Sequence, residues 1–258
     1  MSEKLLVLDV GNTNIVLGLF SGRVLSHHWR IASRRDSTAD EYGTLIQELF
    51  SLKGLETNEV KAVVISSVVP PLQVTLEEMI ESYLGLKALL VEPGIKTGMP
   101  ILYDNPKEVG ADRIVNAVAV IEKYGKPSIV VDFGTATTFD VISERGEYLG
   151  GVIAPGIQIS AEALFQRAAK LPRIEIVRPK AVVGKNTVAS MQSGLYFGYL
   201  SLVEGTLTRI KAEMKFDPMV VATGGLAHLI VGQSSVVDHI DPLLTLEGLR
   251  IIHERNLP

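Results

Sequence analysis

Residues 5–14 read LLVLDVGNTN and residues 129–137 read IVVDFGTAT, with the aspartates Asp9 and Asp132 lying 123 residues apart. In each stretch an apolar run ends at Asp-x-Gly, which predicts a buried strand, a polar turn and a second strand. The likeness continues downstream, where GRVL at 22–25 matches GEYL at 146–149 at an offset of 124 residues. One extra residue in the second hairpin would explain this shift. The repeat therefore predicts a duplicated β-β-β unit at the head of two similar α/β halves.

The rest of each half alternates helices with strands. Thr38 followed by Glu41 has the spacing of a capping box and predicts a helix that runs to about residue 53. We therefore predict an N-terminal half at residues 1–115 and a C-terminal half at residues 116–258. The further predicted elements are strands at 61–66, 88–91 and 218–222, and helices at 70–83, after Gly156, at about 187–214 and from about 243.

The composition is that of a globular protein without a strong charge bias. The 258 residues carry a net charge of −4, 47% of them are hydrophobic and none is cysteine. This excludes a disordered chain, disulfide frameworks, thiolate zinc sites and cysteine nucleophiles. The lack of a basic stretch argues against a nucleic-acid partner. Asp9 interrupts the N-terminal apolar run, and turns divide the uncharged stretch 218–237, so we expect a soluble, cytoplasmic protein with no membrane partner.

The two Asp-x-Gly turns are the first candidates for chemistry. Open α/β sheets bind ligands at the carboxyl ends of their strands, and such turns can bind phosphate oxygens through backbone N–H groups without a cationic side chain. A single Asp-x-Gly is explained equally well as a simple Asx turn. Two copies, at 9–14 and 132–138, favour a pair of turns around a polyphosphate. The sequence has no Walker loop, no G-x-G-x-x-G after a strand, no H-E-x-x-H and no G-x-S-x-G.

Two further glycine-containing segments, 110–113 and 223–225, are candidates for ligand binding. In the segment 110–113, Asp112 could accept a proton from an alcohol while Arg113 holds an anion. Alternatively, Asp112 is a helix cap and Arg113 a solvated side chain. Thr223-Gly224-Gly225 follows a predicted strand. It could let an adenine and its ribose lie against the main chain, or it could be a plain strand-to-helix turn.

Five segments occur in order along the chain, and together they resemble the bacterial type III pantothenate kinase family. They lie at 9–14, 110–113, 132–138, 150–156 and 223–225 and read DVGNTN, GADR, DFGTATT, GGVIAPG and TGG. The resemblance covers essentially the whole chain and implies the superfamily of sugar kinases, heat-shock ATPases and actin. It therefore implies an α/β protein with the duplicated ribonuclease H-like, or actin-like ATPase, fold. In that fold two mixed five-stranded sheets are flanked by helices, with a cleft between the halves.

The resemblance also implies an activity, the ATP-dependent phosphorylation of the terminal hydroxyl of pantothenate, which is the first step towards coenzyme A. It implies that Asp112 is the catalytic proton acceptor and that Asp132 binds a monovalent cation, K⁺ or NH₄⁺. Asp9 is expected to orient Mg²⁺ through water, because Mg²⁺ keeps much of its hydration shell. The implied ATP-binding residues are Asp9, Val10, Gly11, Asn12, Thr13, Asn14, Ile15, Val16 and Thr135, to which the turn after the late strand adds Gly224. The implied pantothenate-binding residues are Tyr103, Gly110, Ala111, Asp112, Arg113 and Thr187.

Gly194 and Gly198 lie four residues apart in the long predicted helix. Outside a membrane span, this spacing indicates close packing of helices. The resemblance implies a homodimer with the site near the subunit interface, and this helix is the candidate contact.

Two other functions stay open at this point. One is a different small-molecule kinase on the same fold, against which the segment 110–113 argues. The other is a non-catalytic accessory factor in transcriptional regulation, against which the intact carboxylates and the acidic pI of 5.8 argue. A panel of acceptors with ATP and K⁺ tests the first. Pantothenate-dependent ATP turnover, set against salt-sensitive DNA retention, tests the second.

Overall fold

The computed structural model describes residues 3–257. They divide into two compact units: unit 1 comprises residues 3–119 and 244–257, and unit 2 comprises residues 120–243. Each unit contains one five-stranded sheet. No helix among residues 3–257 is both long and apolar enough to cross a membrane.

The sheet of unit 1 begins with an antiparallel meander and continues with parallel strands. Its strands are β1 (Lys4–Val10), β2 (Asn14–Ser21), β3 (Val24–Ala32), β4 (Val60–Ser67) and β5 (Ala88–Leu90). Their spatial order is β3-β2-β1-β4-β5. The first three strands pair antiparallel, and β4 and β5 pair parallel on the other side of β1.

The sheet of unit 2 repeats this topology. Its strands are β6 (Ser128–Phe133), β7 (Ala136–Ile142), β8 (Tyr148–Pro155), β9 (Met219–Thr223) and β10 (His239–Ile240). Read from the meander edge, the order is β8-β7-β6-β9-β10, with the same antiparallel and parallel pairs as in unit 1. The prediction of a duplicated fold with two mixed five-stranded sheets is therefore confirmed.

Helices follow the strands much as the sequence predicts. They are α1 (Ala39–Ser51), α2 (Pro70–Leu84), α3 (Ala111–Tyr124), α4 (Ile157–Arg167), α5 (Thr187–Met214), α6 (Ala227–Val231) and α7 (Leu244–Arg255). The capping box before α1 is present, because Glu41 N donates to Thr38 Oγ1 at 3.3 Å and Thr38 N donates to Glu41 Oε2 at 2.7 Å. The division between the units falls within α3.

The second hairpin is one residue longer than the first. Two residues separate the paired Ser21 and Val24 in the first hairpin, whereas three separate Ser143 and Glu147, which are joined by a backbone hydrogen bond of 2.9 Å. The predicted extra residue in the second hairpin is therefore confirmed. The turn after the first strand is one residue shorter in the second copy, as described below, so the equivalent residues Ala32 and Pro155 beyond the hairpin again lie 123 positions apart. The offset of 124 between GRVL and GEYL therefore does not join structurally equivalent residues.

In both units, the aspartate lies on the sheet face opposite the one that carries the core cluster. Leu8 and Val10 pack in one core cluster with α1 and α2, so Asp9 between them points to the other face. In unit 2, Val131 and Phe133 pack in a cluster with α5, and Asp132 again points to the opposite face. The two carboxylates thus occupy equivalent positions at the ends of β1 and β6.

The C-terminal helix α7 belongs to unit 1. The sequence analysis placed these residues in the C-terminal half at 116–258. The helix packs against β1, β2 and β4, and its fully buried Leu249 and Ile252 cover the sheet face opposite α1 and α2. At Gly248 an added Cβ would collide with the backbone oxygen of Val115 in α3. The chain returns to unit 1 because the second face of that sheet needs an apolar cover.

Candidate active site

The turn between β1 and β2, which we call the first turn, is closed by a hydrogen bond from Gly11 N to Asn14 O at 3.0 Å. It encloses Asn12 and Thr13, which are both exposed. Asp9 is half-buried two residues before the turn, at the carboxyl end of β1. The predicted arrangement of an acidic strand end and a polar turn is therefore present.

Ser33, directly after β3, braces this turn. Its backbone N–H donates to Thr13 O at 3.0 Å, and its hydroxyl donates to Gly11 O at 2.6 Å. Both carbonyl oxygens are thus directed towards Ser33, which reduces the repulsion that their lone pairs would exert on a bound phosphate. The sequence analysis did not find Ser33, because the contact spans 22 residues and depends on the register of the meander.

The turn between β6 and β7, the second turn, has the same plan with one residue fewer. Gly134 N donates to Ala136 O at 3.1 Å, so Thr135 alone is enclosed. The brace is Gly156, directly after β8, whose N–H donates to Thr135 O at 3.1 Å. A Cβ at Gly156 would collide with that same oxygen, which explains why the brace in unit 2 is glycine.

Gly224 lies against Asp132, so unit 2 brings together two of the predicted residues. Asp132 pairs in register with Thr223 on the parallel strand β9. Gly224 follows with φ of 93°, and a Cβ there would lie 2.6 Å from Asp132 Oδ1 and 2.7 Å from Phe133 N. Only glycine combines this backbone conformation with this close approach.

Beside Asp9, the structure places a buried hydroxyl that the sequence analysis did not single out. Ser66 pairs in register with Asp9 on the parallel strand β4, so the two side chains share one face. Ser66 is 0% exposed, and its Oγ has no hydrogen-bond partner among residues 3–257. A buried hydroxyl without a protein partner indicates a place for an ordered water or another oxygen ligand.

Asp112 is the second residue of α3, so it is not the N-cap of that helix. Its Oδ1 accepts a hydrogen bond of 2.8 Å from the backbone N–H of Arg113. Arg113 is only 8% exposed, and it is therefore not the solvated side chain of the alternative interpretation.

Burial raises the pKa of the half-buried Asp112 carboxyl above its ordinary value, against the opposite effects of the Arg113 backbone N–H and its positive charge. A carboxylate whose pKa is raised holds a proton more tightly than an exposed one. It is therefore better suited to accept a proton from an alcohol.

Val68, directly after β4, contacts both the end of β1 and the segment that contains Asp112. Val68 donates its backbone N–H to Val10 O at 3.1 Å. At Gly110 an added Cβ would lie 3.8 Å from Val68 Cγ1 and 2.6 Å from Asp112 Oδ1. Gly110 thus leaves the space that the Asp112 carboxylate occupies. Unit 1 therefore brings the first turn and the predicted segment 110–113 to the same end of its sheet.

Tyr103 and Thr187 are the two other residues that were predicted to bind pantothenate. Tyr103 is 36% exposed and belongs to unit 1, whereas Thr187, the first residue of α5, belongs to unit 2. Thr187 lines a cavity of about 710 Å³ together with Lys185, Ser190 and apolar side chains that include Leu164, Leu171 and Met191. This cavity can take a small amphipathic ligand.

Among residues 3–257, the Gly194 and Gly198 pair in α5 does not pack closely against another helix. A Cβ added at either glycine meets nothing within 4 Å. Close helix packing at these positions is therefore absent within the part of the chain that the structure describes. A contact with a second subunit stays a prediction.

Oxygen ligands are present for both expected cations. Among residues 3–257 there is no group of three or more His, Asp or Glu side chains that could hold a metal ion by themselves. Mg²⁺ bound by one or two carboxylates, waters and substrate phosphates does not need such a group. The half-buried Asp9 beside the unpartnered Ser66 hydroxyl fits that kind of site. Asp132, approached by the backbone at Gly224, offers oxygen atoms to a monovalent cation.

Solved structures of low identity share the fold. One, described as a Baf family transcriptional activator from Campylobacter jejuni, is 20% identical with a TM-score of 0.63, over 97% of this chain and 98% of that chain. MreB 5 of Spiroplasma citri bound to AMPPNP is 11% identical with a TM-score of 0.54, over 98% of this chain and 97% of that chain. These likenesses identify the fold alone.

Closer relatives identify the family. A family model for type III pantothenate kinase matches residues 5–209. A type III pantothenate kinase from Moorella thermoacetica is 61% identical over 252 residues, which cover 98% of this chain and 99% of that protein. The chain therefore belongs to the type III pantothenate kinase family.

Proposed function

We propose that this protein transfers the γ-phosphoryl group of ATP to the terminal hydroxyl of pantothenate, the first step towards coenzyme A. The observation that carries the proposal is the position of Asp112, a half-buried carboxylate with a raised pKa. It lies at the same end of the unit 1 sheet as the first turn. Phosphoryl transfer requires mainly positioning and charge neutralisation, and a carboxylate near a phosphate-binding turn fits this requirement.

Asp112 accepts the proton of the attacking hydroxyl in this proposal, and Arg113 binds a negatively charged group of the substrates. The hydrogen bond of 2.8 Å from the Arg113 backbone N–H to Asp112 Oδ1 holds the carboxylate in place. Gly110 and Ala111 let the acceptor approach the start of α3. Tyr103 and Thr187 complete the proposed pantothenate contacts.

ATP binding is assigned to the residues that the resemblance implies. Residues Asp9 to Val16 bind its phosphates, and Thr135 in the second turn contributes a further contact. Gly224 lets the nucleotide lie close to the main chain. The contacts of Ser33 and Gly156 support this assignment. They donate hydrogen bonds to carbonyl oxygens of the first and second turns, so that these oxygens are already bonded within the protein.

Asp9 is the proposed partner of Mg²⁺ and binds it through a water molecule that the Ser66 hydroxyl also contacts. Asp132 is the proposed ligand of K⁺ or NH₄⁺. When bound, these cations supply positive charge that offsets the charge of the triphosphate. The residues of the chain then orient the donor phosphate and the acceptor hydroxyl.

A coupled ADP assay tests the proposal. With ATP, Mg²⁺ and K⁺, we expect ADP release that depends on pantothenate, and a phosphorylated product with one added phosphate by mass spectrometry. Hexoses, N-acetylglucosamine and small hydroxy acids serve as alternative acceptors. Turnover with one of these acceptors and none with pantothenate would contradict the assignment.

Replacing the monovalent cation should reduce the rate. When K⁺ and NH₄⁺ are replaced by tetramethylammonium at constant ionic strength, we expect kcat/KM for ATP to fall by about tenfold or more, because a positive charge near the triphosphate is lost. The variant Asp132→Asn should be slow in all salts and should respond to K⁺ by less than twofold. A K⁺ response in Asp132→Asn equal to that of the wild type would remove Asp132 from this role.

Replacing Ser66 by alanine should weaken the response to Mg²⁺. We expect the Mg²⁺ concentration for half-maximal rate to rise by about tenfold, the low end of the effect of losing an outer-shell partner. Ser128 is the matched control, since it is also 0% exposed with an unpartnered Oγ among the described residues, but it lies at the start of β6. Ser128→Ala should leave the Mg²⁺ titration unchanged. Equal titrations for both variants would contradict the Ser66 assignment.

The homodimer is proposed on exposed apolar surface in unit 2. Ile153 on β8 is 64% exposed and Ile159 on α4 is 48% exposed, and Gly198 on α5 is exposed without a close neighbour. Burying such side chains against a second copy would stabilise a dimer. Mass measurement in solution tests this. Because the proposed reaction uses ATP and pantothenate, we place it in the cytoplasm.

A further inference from the structure

We propose that Arg35 is a nucleotide-binding residue that supplies positive charge to the first turn. The inference rests on the proposed function, in which this turn binds the phosphates of ATP. The sequence analysis expected both turns to lack a cationic side chain. In the structure, the guanidinium of Arg35 donates through Nη2 to Asn12 Oδ1 at 3.0 Å, which places it at the edge of the first turn.

Arg35 is held in this place by the chain on both sides of it. Ser33 is bonded to Gly11 and Thr13 of the turn. At Arg34 the backbone N–H donates to the hydroxyl of Tyr42 at 2.9 Å, and that hydroxyl donates to Arg34 O at 3.0 Å. Tyr42 on α1 is 3% exposed and part of the core. Arg35 therefore follows an anchored segment, and less conformational entropy is lost when it binds a ligand.

The guanidinium is also available to an anion. It is exposed, and among residues 3–257 no carboxylate forms an ion pair with it. One of its five N–H donors is used by a neutral amide. Guanidinium groups bind phosphate oxygens through two parallel hydrogen bonds, and Asn12 holds this one next to a turn whose carbonyl oxygens face Ser33.

Comparison of the two units shows that the position equivalent to Arg35 is not cationic in unit 2. The braces are equivalent, because Ala32 pairs with Asn14 and Pro155 with Ala136, and the next residue in each case is Ser33 or Gly156. After Gly156 the chain enters α4 at once, and Gln158 stands at the position that corresponds to Arg35. In unit 1 a short segment precedes α1, and Arg35 lies within it.

The direct test measures nucleotide binding without turnover. Isothermal titration of a non-hydrolysable ATP analogue with Mg²⁺ should give a Kd about tenfold higher for Arg35→Gln than for the wild type, as expected for losing charge-assisted hydrogen bonds at an exposed site. Arg35→Lys should bind with intermediate affinity. The matched control is Arg34→Gln, which removes an adjacent exposed arginine whose backbone alone is anchored, and it should change the Kd by less than twofold.

Three further measurements separate binding from a structural role. The melting temperature of Arg35→Gln should equal that of Arg34→Gln. The KM for ATP should rise about tenfold in Arg35→Gln while the KM for pantothenate stays within twofold. The Kd of Arg35→Gln should also depend less steeply on salt than that of the wild type.

Equal analogue affinities for Arg35→Gln and Arg34→Gln would overturn the proposal. So would an equal loss of affinity for adenosine, which has no phosphate. Failure of the proposed function gives a different result, namely a wild type that binds the analogue but does not phosphorylate pantothenate. The Arg35 binding test is then still decisive.

Discussion

Asp112→Asn should reduce kcat by about 10²- to 10⁴-fold, the usual range for a positioned base, while the folded protein becomes more stable at neutral pH. The loss of rate follows because asparagine cannot accept the proton of the attacking hydroxyl. The gain in stability follows because burial raises the pKa of the Asp112 carboxyl, so that burying its charged form costs free energy. Steady-state kinetics and thermal unfolding at pH 7 measure the two effects.

The direction of the pH dependence follows from the same shift. A carboxyl whose pKa is raised in the folded state contributes stability that is fully present below its unfolded pKa of about 4. That contribution is lost as the pH rises through the folded pKa. The melting temperature of Asp112→Asn should therefore exceed that of the wild type at pH 7, and the gap should narrow as the pH falls through the raised pKa. The kcat/KM of the wild type should rise with pH over the same interval.

Asp40→Asn is the matched control for both measurements. Asp40 is also the second residue of its helix, α1, but it is exposed and accepts a hydrogen bond from Tyr83 at 2.8 Å. Its replacement should cost a few tenths of a kcal/mol, since a negative charge near a helix N-terminus is lost, and should leave kcat unchanged. Equal activity in Asp112→Asn and Asp40→Asn would remove Asp112 from the catalytic role.

Gly224→Ala should destabilise unit 2 by about 3 kcal/mol or more and reduce activity beyond what that loss of stability explains. The added Cβ would lie 2.6 Å from Asp132 Oδ1 and 2.7 Å from both Phe133 N and Phe133 C. The backbone of Phe133 belongs to β6 and can move only by disturbing its pairing with β7 and β9. The Asp132 carboxylate must then move away from its position. Denaturant unfolding and the response of the rate to K⁺ measure the two consequences.

Gly85→Ala separates this collision from backbone strain. Gly85 ends α2 with φ of 66°, and an added Cβ there meets nothing within 4 Å. Its replacement should cost about 1 kcal/mol, the penalty of a left-handed conformation for a residue with a Cβ, with normal activity and a normal response to K⁺. If Gly224→Ala and Gly85→Ala lose equal stability and keep equal activity, the close approach of Gly224 to Asp132 has no functional importance.

Local patterns in the sequence were sufficient to predict the duplication of the fold. These patterns depend on residues that are near one another in the chain. They are the apolar runs that end at Asp9 and Asp132, the capping box of Thr38 with Glu41 and the limits of α5. For the same reason, the segment 110–113 could be recognised as a candidate for proton transfer. The burial of Arg113 could not be predicted from the segment, because burial depends on how the whole unit packs.

Contacts between distant residues decided the rest. Residues 244–257 return to unit 1 because the second face of its sheet needs an apolar cover, which no local pattern specifies. Three contacts at the candidate site depend on the register of paired strands. They are the bonds of Ser33 to the first turn, the position of the Ser66 hydroxyl beside Asp9 and the approach of Gly224 to Asp132. The sequence by itself thus determined which elements form and which carboxylates end their strands. The tertiary structure decided which side chains lie beside those carboxylates, because strand pairing brings together residues that the sequence separates by tens of positions.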